Sequence, residues 1–173
     1  SVTDAMGNTV VVTMDPVSMQ PASVEDPNGN ITRVSYDALG RILAVAVQGK
    51  DAESLGDTLE DPTVSYSYEL SRFKDDGLPA RTVTTQRTEH GGSEFLYRYS
   101  YSDGGGKLVQ EKVSAEDGEV PGETGTISPR WVGTGRTVLN NKELPVKQYE
   151  PFFSATEEHE SEDEVVATGV FST

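Results

Sequence analysis

Two stretches of the chain alternate apolar and polar side chains with a period of two. In the first, Val64, Tyr66, Tyr68 and Leu70 share one face, with Ser65, Ser67 and Glu69 opposite; in the second, Phe95, Tyr97, Tyr99 and Tyr101 lie opposite Leu96, Arg98 and Ser100. This period belongs to half-buried antiparallel strands. The aromatic rows are expected to face a packed layer or a lumen, and the polar rows water. Strand-like runs also occupy Ile31 to Tyr36, Arg41 to Val47 and Lys107 to Val113.

A short pattern, Asp-x-x-Gly followed by a polar or basic residue, separates such runs. It occurs at Asp4 to Gly7, Asp26 to Gly29, Asp37 to Gly40 and Asp103 to Gly106, with a degenerate copy at Asn140 to Glu143. Aspartate at the first position of a type I turn can accept backbone N–H bonds from within the turn. Glycine three residues on enters the left-handed region without a Cβ clash. The pattern therefore predicts hairpins, and Glu143 in place of glycine weakens the case for left-handed geometry in the last copy.

Val, Thr, Tyr, Ile, Phe and Trp outnumber Leu, Ala and Met, which favours strands over helices. Seventeen glycines and nine prolines, spread along the whole length, would interrupt long helices. The fold class is thus all-β, built of antiparallel hairpins. Leu, Ile, Val and Phe make up about 22% of the chain, just above the roughly 20% below which a highly charged sequence reads as disordered. A core is possible but thin.

With 14 Lys and Arg against 29 Asp and Glu, the net charge is −15. That argues against nucleic-acid binding, which needs cationic surface to displace counterions. The longest apolar run, Ile42 to Val47, is too short to span a bilayer, and the first residues lack a secretory-signal layout. No cysteine is present, so disulfides, thiolate catalysis and cysteine metal sites are excluded.

The organisation expected is one β region over 1–173. Hairpins occupy 1–48, a loop 49–62, further hairpins 63–113 and a second loop 114–129. A motif-bearing segment follows at 130–154, then an acidic loop and terminal strand at 155–173. Only Asp51 to Glu60 has short-helix character. Thr156 to Glu164 packs six acids into nine residues and reads as a solvated charged loop, whose carboxylates should raise the pKa of His159.

No catalytic, cofactor or metal site is expected. His90, before Gly91-Gly92, reads as a loop residue, because the metal and triad templates need partners that are missing. Asp26, Asn28, Asn30 and Asp37 imitate a calcium loop, but Ile31 stands where an EF-hand needs glycine, and turn capping explains the same residues. Gly104-Gly-Gly-Lys107 lacks the P-loop frame, and no Gly-x-Ser-x-Gly elbow occurs.

The hexapeptide Tyr36-Asp37-Ala38-Leu39-Gly40-Arg41 resembles the Tyr-Asp repeat of Rhs proteins. Around it stand Asp26-Pro-Asn-Gly-Asn30, Ala46-Val-Gln-Gly-Lys-Asp51 and Tyr99-Ser-Tyr-Ser-Asp-Gly104. Pro129-Arg-Trp-Val-Gly-Thr-Gly-Arg-Thr-Val-Leu-Asn-Asn-Lys142 and Pro145-Val-Lys-Gln-Tyr-Glu-Pro-Phe-Phe-Ser154 follow. In that order these resemble the Rhs-like region of the B component of ABC-type insecticidal toxin complexes, over roughly residues 3 to 155. The acidic loop at 156–164 and the tail from Val165 carry no matching motif.

The resemblance implies a curved antiparallel sheet that forms part of a hollow β shell. In that family the B and C components enclose the cytotoxic part of the C component until the A component's channel delivers it. The partners implied are therefore the C component with its cargo and, through the rest of the parent protein, the A component; the localisation is secreted or extracellular. The family's catalytic elements lie in the C component, so no residue here inherits them. Asp4, Gly7, Asp26, Gly29, Asp37, Gly40, Asp103 and Gly106 become structural turn residues. Tyr36, Tyr97, Tyr99, Trp131, Tyr149, Phe152 and Phe153 become packing or lumen-facing anchors. The chain does not begin with Met and reads as a piece of a longer protein, which predicts self-association or partial disorder when it is isolated.

A rival from another class is a carbohydrate or cell-surface binding module that stacks sugar rings on Tyr66 and Tyr68, or on Tyr97, Tyr99 and Tyr101. Aromatic strand faces are more often buried, so the rival ranks second. An enzyme reading ranks third, for want of any constellation that meets the geometric requirements of catalysis.

Overall fold

Branched and aromatic residues at alternating positions, punctuated by Asp-x-x-Gly turns, build strands along nearly the whole chain. The computed structural model describes residues 1–50, 56–134, 136–142 and 144–167. The first elements are β1 (Val2–Thr3), β2 (Thr9–Met14), β3 (Pro21–Glu25), β4 (Asn30–Tyr36), β5 (Ile42–Lys50) and β6 (Val64–Glu69). A short helix α1 (Arg72–Asp76) precedes β7 (Ala80–Arg87), β8 (Phe95–Ser102), β9 (Leu108–Ala115) and β10 (Arg130–Thr134). Then come β11 (Thr137–Leu139), β12 (Pro145–Gln148), β13 (Phe152–Ser154) and helix α2 (Glu162–Ala167).

The protein is all-β. Hydrogen-bonded order follows chain order from β1 to β10 and ends on β13, while β11 and β12 form a separate ribbon. Packing divides the chain into two compact units, Ser1–Ser67 with Thr85–Phe95, and Tyr68–Thr84 with Leu96–Thr173. The switch falls within β6, β7 and β8, where no change of composition marks it.

In the first unit the turns share one geometry. At the β4–β5 hairpin, Gly40 N–H donates to the Asp37 carbonyl at 3.0 Å and Asp37 N–H to the Arg41 carbonyl at 2.9 Å. Gly40 sits at φ 77°. This is the bonding pattern of a three-residue hairpin loop in which a type I turn is followed by a left-handed residue. Asp37 Oδ1 accepts the amides of Leu39 and Arg41, both at 2.9 Å. Asp4 accepts from Met6 and Asn8, and Asp26 from Asn28 and Asn30, in the same way. A longer variant, outside the Asp-x-x-Gly pattern, runs from Asp15 to Gln20 and puts Met19 at φ 57°.

Also in this unit, Asp57 and Arg87 are buried charged groups. The Asp57 carboxylate accepts from Thr63 Oγ1 at 2.7 Å and Gly91 N–H at 3.0 Å, and lies 3.1 Å from His90 Nδ1. Burial opposes its ionisation, yet these bonds hold its pKa below the ordinary aspartate value. Arg87 bridges Asp61 and the Gly92 carbonyl, so both loops are pinned to one charged centre.

The second unit repeats the turn at Asp103, which accepts from the amides of Gly105 and Lys107 at 2.9 Å each, with Gly106 at φ 81°. Asn140 accepts from Lys142 and Leu144 in the same pattern. The left-handed geometry at Glu143 lies outside the described residues. Tyr149, Phe152 and Val165 form the buried core, with Val138 packed against it.

Three sequence expectations need correction. Glu162–Ala167 is a helix where the end of the acidic loop and the start of a terminal strand were expected; residues 168–173 lie outside the described set. The cause of the helix is a capping box: Ser161 N–H donates to Glu164 Oε2 at 2.6 Å, and Glu164 N–H returns to Ser161 Oγ at 3.4 Å. The helix expected within Asp51 to Glu60 is not present over residues 56–60, where Gly56 instead bridges Gln48; residues 51–55 lie outside the described set. Finally, the hairpins of 63–113 are interrupted by α1, stopped at Gly77, whose φ of 73° permits the N–H to reach the Phe73 carbonyl.

Candidate functional site

The register of the second unit places one polar and aromatic face across four strands. Tyr99 lies opposite Lys112 and Tyr101 opposite Gln110 in the β8–β9 pair. Lys112 faces Gly133 on β10, which in turn faces Phe152 on β13; Ser114, Trp131 and Ser154 form the neighbouring row. Directly opposed residues share a face, so β8, β9, β10 and β13 present Tyr99, Tyr101, Gln110, Lys112, Trp131, Phe152 and Ser154 together.

Packing on this face is tight. The rings of Tyr99 and Trp131 meet edge to face at 5.2 Å between centroids, a favoured aromatic geometry. A Cβ at Gly133 would run into the Phe152 ring, so the strand position opposite that ring requires glycine. The Lys112 ammonium lies 5.2 Å from the centre of the same ring.

Residues 156–160 lie over this face as a strap. Tyr101 OH donates to the Glu157 carbonyl at 2.6 Å. The Gln110 side chain accepts from Glu160 N–H at 2.8 Å and donates to the Glu160 carbonyl at 3.4 Å, as a neighbouring strand would. Lys112 pairs with the Glu160 carboxylate and donates to the Thr156 carbonyl at 3.1 Å. Glu158 receives Arg72 Nη2 and Arg81 Nη1, each at 2.6 Å, while Arg81 forks onto Glu69 at 2.8 and 3.0 Å.

The segment expected to be a solvated loop is therefore a half-buried strap, and its electrostatics invert one expectation. His159 is not raised but lowered to about 4. Burial disfavours the imidazolium, and Arg136, whose Nη1 is 3.1 Å from His159 Nε2, outweighs the carboxylates. Glu158 is held below the ordinary glutamate value by Arg72 and Arg81, although burial works against it. Burial lowers Lys112 against the pull of Glu160. His159 and Arg136 also line an open cleft of about 610 Å³ with Leu70, Phe73 and Val109.

Of the anchors singled out from sequence, Trp131, Tyr149 and Phe152 are buried and Tyr99 half-buried, whereas Tyr97 and Phe153 are exposed. Arg130 covers the Phe153 ring at 3.9 Å. Tyr36, in the first unit, donates its hydroxyl to the Pro21 carbonyl at 2.8 Å. The tyrosine row on β8 is thus graded from Tyr97, at the surface, to Tyr101, with no exposed area. Gln110, Lys112, Glu158 and Glu160 were missed by sequence reasoning. The one available signal was that Gln110 and Lys112 fall on the same strand parity. Among the described residues no cluster of three or more His, Asp or Glu could hold a metal ion, and no helix is long and apolar enough to cross a membrane.

These features define an antiparallel sheet of hairpin repeats, closed on one face by a strap of its own chain. Comparison with solved structures places that fold: the chain superposes on TcdB2-TccC3 with a TM-score of 0.76 at 23% identity, covering 93% of this chain and 9% of that one. It is similar also to the Photorhabdus luminescens Tc holotoxin pore, with a TM-score of 0.73 at 18% identity over 94% of this chain and 12% of that one. A complex of TcdB2-TccC3 with Cdc42 gives 0.72 at 18% identity over 93% and 12%. The fold is that of a TcdB/TccC-type Rhs region, and the chain spans about a tenth of the chains it matches. No family model and no curated protein matches the sequence.

Proposed function

We propose that this chain is a non-enzymatic wall segment of a toxin-complex B component, part of an Rhs shell that encloses the cytotoxic portion of a C component and is secreted with it. The observation that carries the reading is the superposition of 93% of the chain, at a TM-score of 0.76, on a small part of TcdB2-TccC3. Surface chemistry supports it: Val11, Val12, Met14, Val17 and Met19 are all exposed, apolar area that a neighbouring stretch of wall would cover. Charged side chains on the second unit's sheet face are spent on holding the strap, an arrangement suited to rigidity. The mechanism is steric: a hydrogen-bonded sheet keeps proteases from what lies behind it.

The test uses the full parent protein with its C component. Protease protection of the cargo is compared between wild type and a variant with residues 130–154 replaced by a flexible linker. Loss of protection while the components still associate supports the wall reading. Retained protection with reduced target-cell binding overturns it in favour of a surface-recognition module.

A further inference from the structure

Among the described residues, one contact of the strap requires an unprotonated imidazole. Arginine carries only donors, so the 3.1 Å contact between Arg136 Nη1 and His159 Nε2 is a bond that Arg136 donates to an unprotonated imidazole nitrogen. His159 is also held edge-on against Tyr101, with centroids 5.7 Å apart. We propose that residues 156–160 are an acid-loosened strap, held over the Tyr101, Gln110 and Lys112 face in part by that bond and opened more often when His159 Nε2 takes a proton.

Protonation removes the acceptor and sets two cations side by side. The groups that act on His159 from the surrounding elements are mostly of the wrong sign to compensate. Arg72 of α1, Lys112 of β9 and Arg136 before β11 oppose the new charge, Tyr101 of β8 is neutral, and Glu164 of α2 favours it. Within the strap, Glu158 is engaged by Arg72 and Arg81, and Glu160 by Lys112; Glu157 contributes its backbone carbonyl to Tyr101. The open cleft that His159 lines gives protons a route to it. Release would uncover Tyr101, Gln110 and Lys112, none of which has exposed area when the strap is closed.

The sign follows from linkage. An imidazole at about 4 when strapped and 6.5 when free binds a proton on opening, so the opening constant rises about five- to sevenfold for each pH unit lost across that interval. Glu158, held below its ordinary value of 4.5, stays charged in the upper half of the interval. The latch is a property of this chain and does not depend on the shell reading.

Hydrogen–deuterium exchange of the full chain, corrected for intrinsic rates, tests it between pH 6.5 and about pH 5. The Glu160 amide, bonded to Gln110, should open about fifteenfold more over that range, while β4 and β5 amides stay level. The variant H159Q, whose amide oxygen can accept from Arg136 at any pH, should lose that slope. A flat wild-type strap, or equal slopes in wild type and H159Q, overturns the proposal. Should H159Q fail to hold the strap at all, the wild-type imidazole Cε1–H resonance decides: it must shift over the range in which exchange rises, and a strap that opens while the ring stays neutral refutes the latch.

Discussion

Lys112 on β9 and Glu160 in the strap form an ion pair in which the lysine side chain has no solvent exposure and the glutamate only 15%. The pair joins an inner strand of the sheet to a segment 48 residues further along the chain. Breaking such a pair from one side leaves the other charge buried. The K112M variant is expected to lose about 3–5 kcal/mol of stability in urea unfolding, and K112M/E160L to recover much of it. Equal losses in the single and double variants would show that the charge is not what matters.

Trp131 and Phe152 hold the same face by area. Truncating either to alanine should cost about 3–5 kcal/mol. G133A tests the packing from the other direction, since the added methyl meets the Phe152 ring. The double variant G133A/F152L should be less destabilised than the sum of its parts, measured as a double-mutant cycle.

Gly40 and Gly7 separate backbone strain from crowding. Both have positive φ, but a Cβ at Gly40 would come within 3.0 Å of the Gln20 amide, whereas nothing lies within 4 Å at Gly7. Each alanine variant should lose about 1–2 kcal/mol for the left-handed backbone. G40A should lose more than G7A, because Gln20 also donates to the Gly40 carbonyl at 2.7 Å.

Acid should unpick the turns in a defined sense. Asp4 and Asp26 are held below 3.8, mainly by the side-chain amides of Asn8 and Asn30. A carboxyl with a lowered folded pKa contributes stability that is complete above its unfolded value and lost as pH falls through the folded one. Carboxyl NMR titration should place both midpoints below 3.8 in wild type. N8A and N30A should raise them, and unchanged midpoints would remove the asparagines from the account.

Ser161 is the start signal of α2. S161A should lower stability by about 1 kcal/mol and release exchange protection at Val165, whose N–H bonds to the Ser161 carbonyl at 3.1 Å. An unaffected Val165 amide would show that packing alone holds the helix.

The hairpins were legible because their information is local. Alternation at Phe95 to Tyr101 and aspartate at Asp37 and Asp103 each act within a few residues, and the strands begin and end within one or two positions of where those signals fall. The strap was not legible, because its meaning is set by partners far away in sequence: Glu158 finds Arg72 and Arg81, and His159 finds Arg136. Six acids in nine residues look solvated until the cations opposite them are known. Helix α2 is a different failure, since Ser161 and Glu164 stand at capping-box spacing and the charge run obscured them.

Each Asp-x-x-Gly loop satisfies its own amides with one carboxylate and supplies its own left-handed residue. Contacts between consecutive strands are then short in sequence, and folding can proceed hairpin by hairpin without waiting for distant partners. A repeat unit that specifies its own reversal can be copied or deleted in a gene without disturbing the units on either side. A sheet made this way lengthens by duplication, and its size is set by copy number.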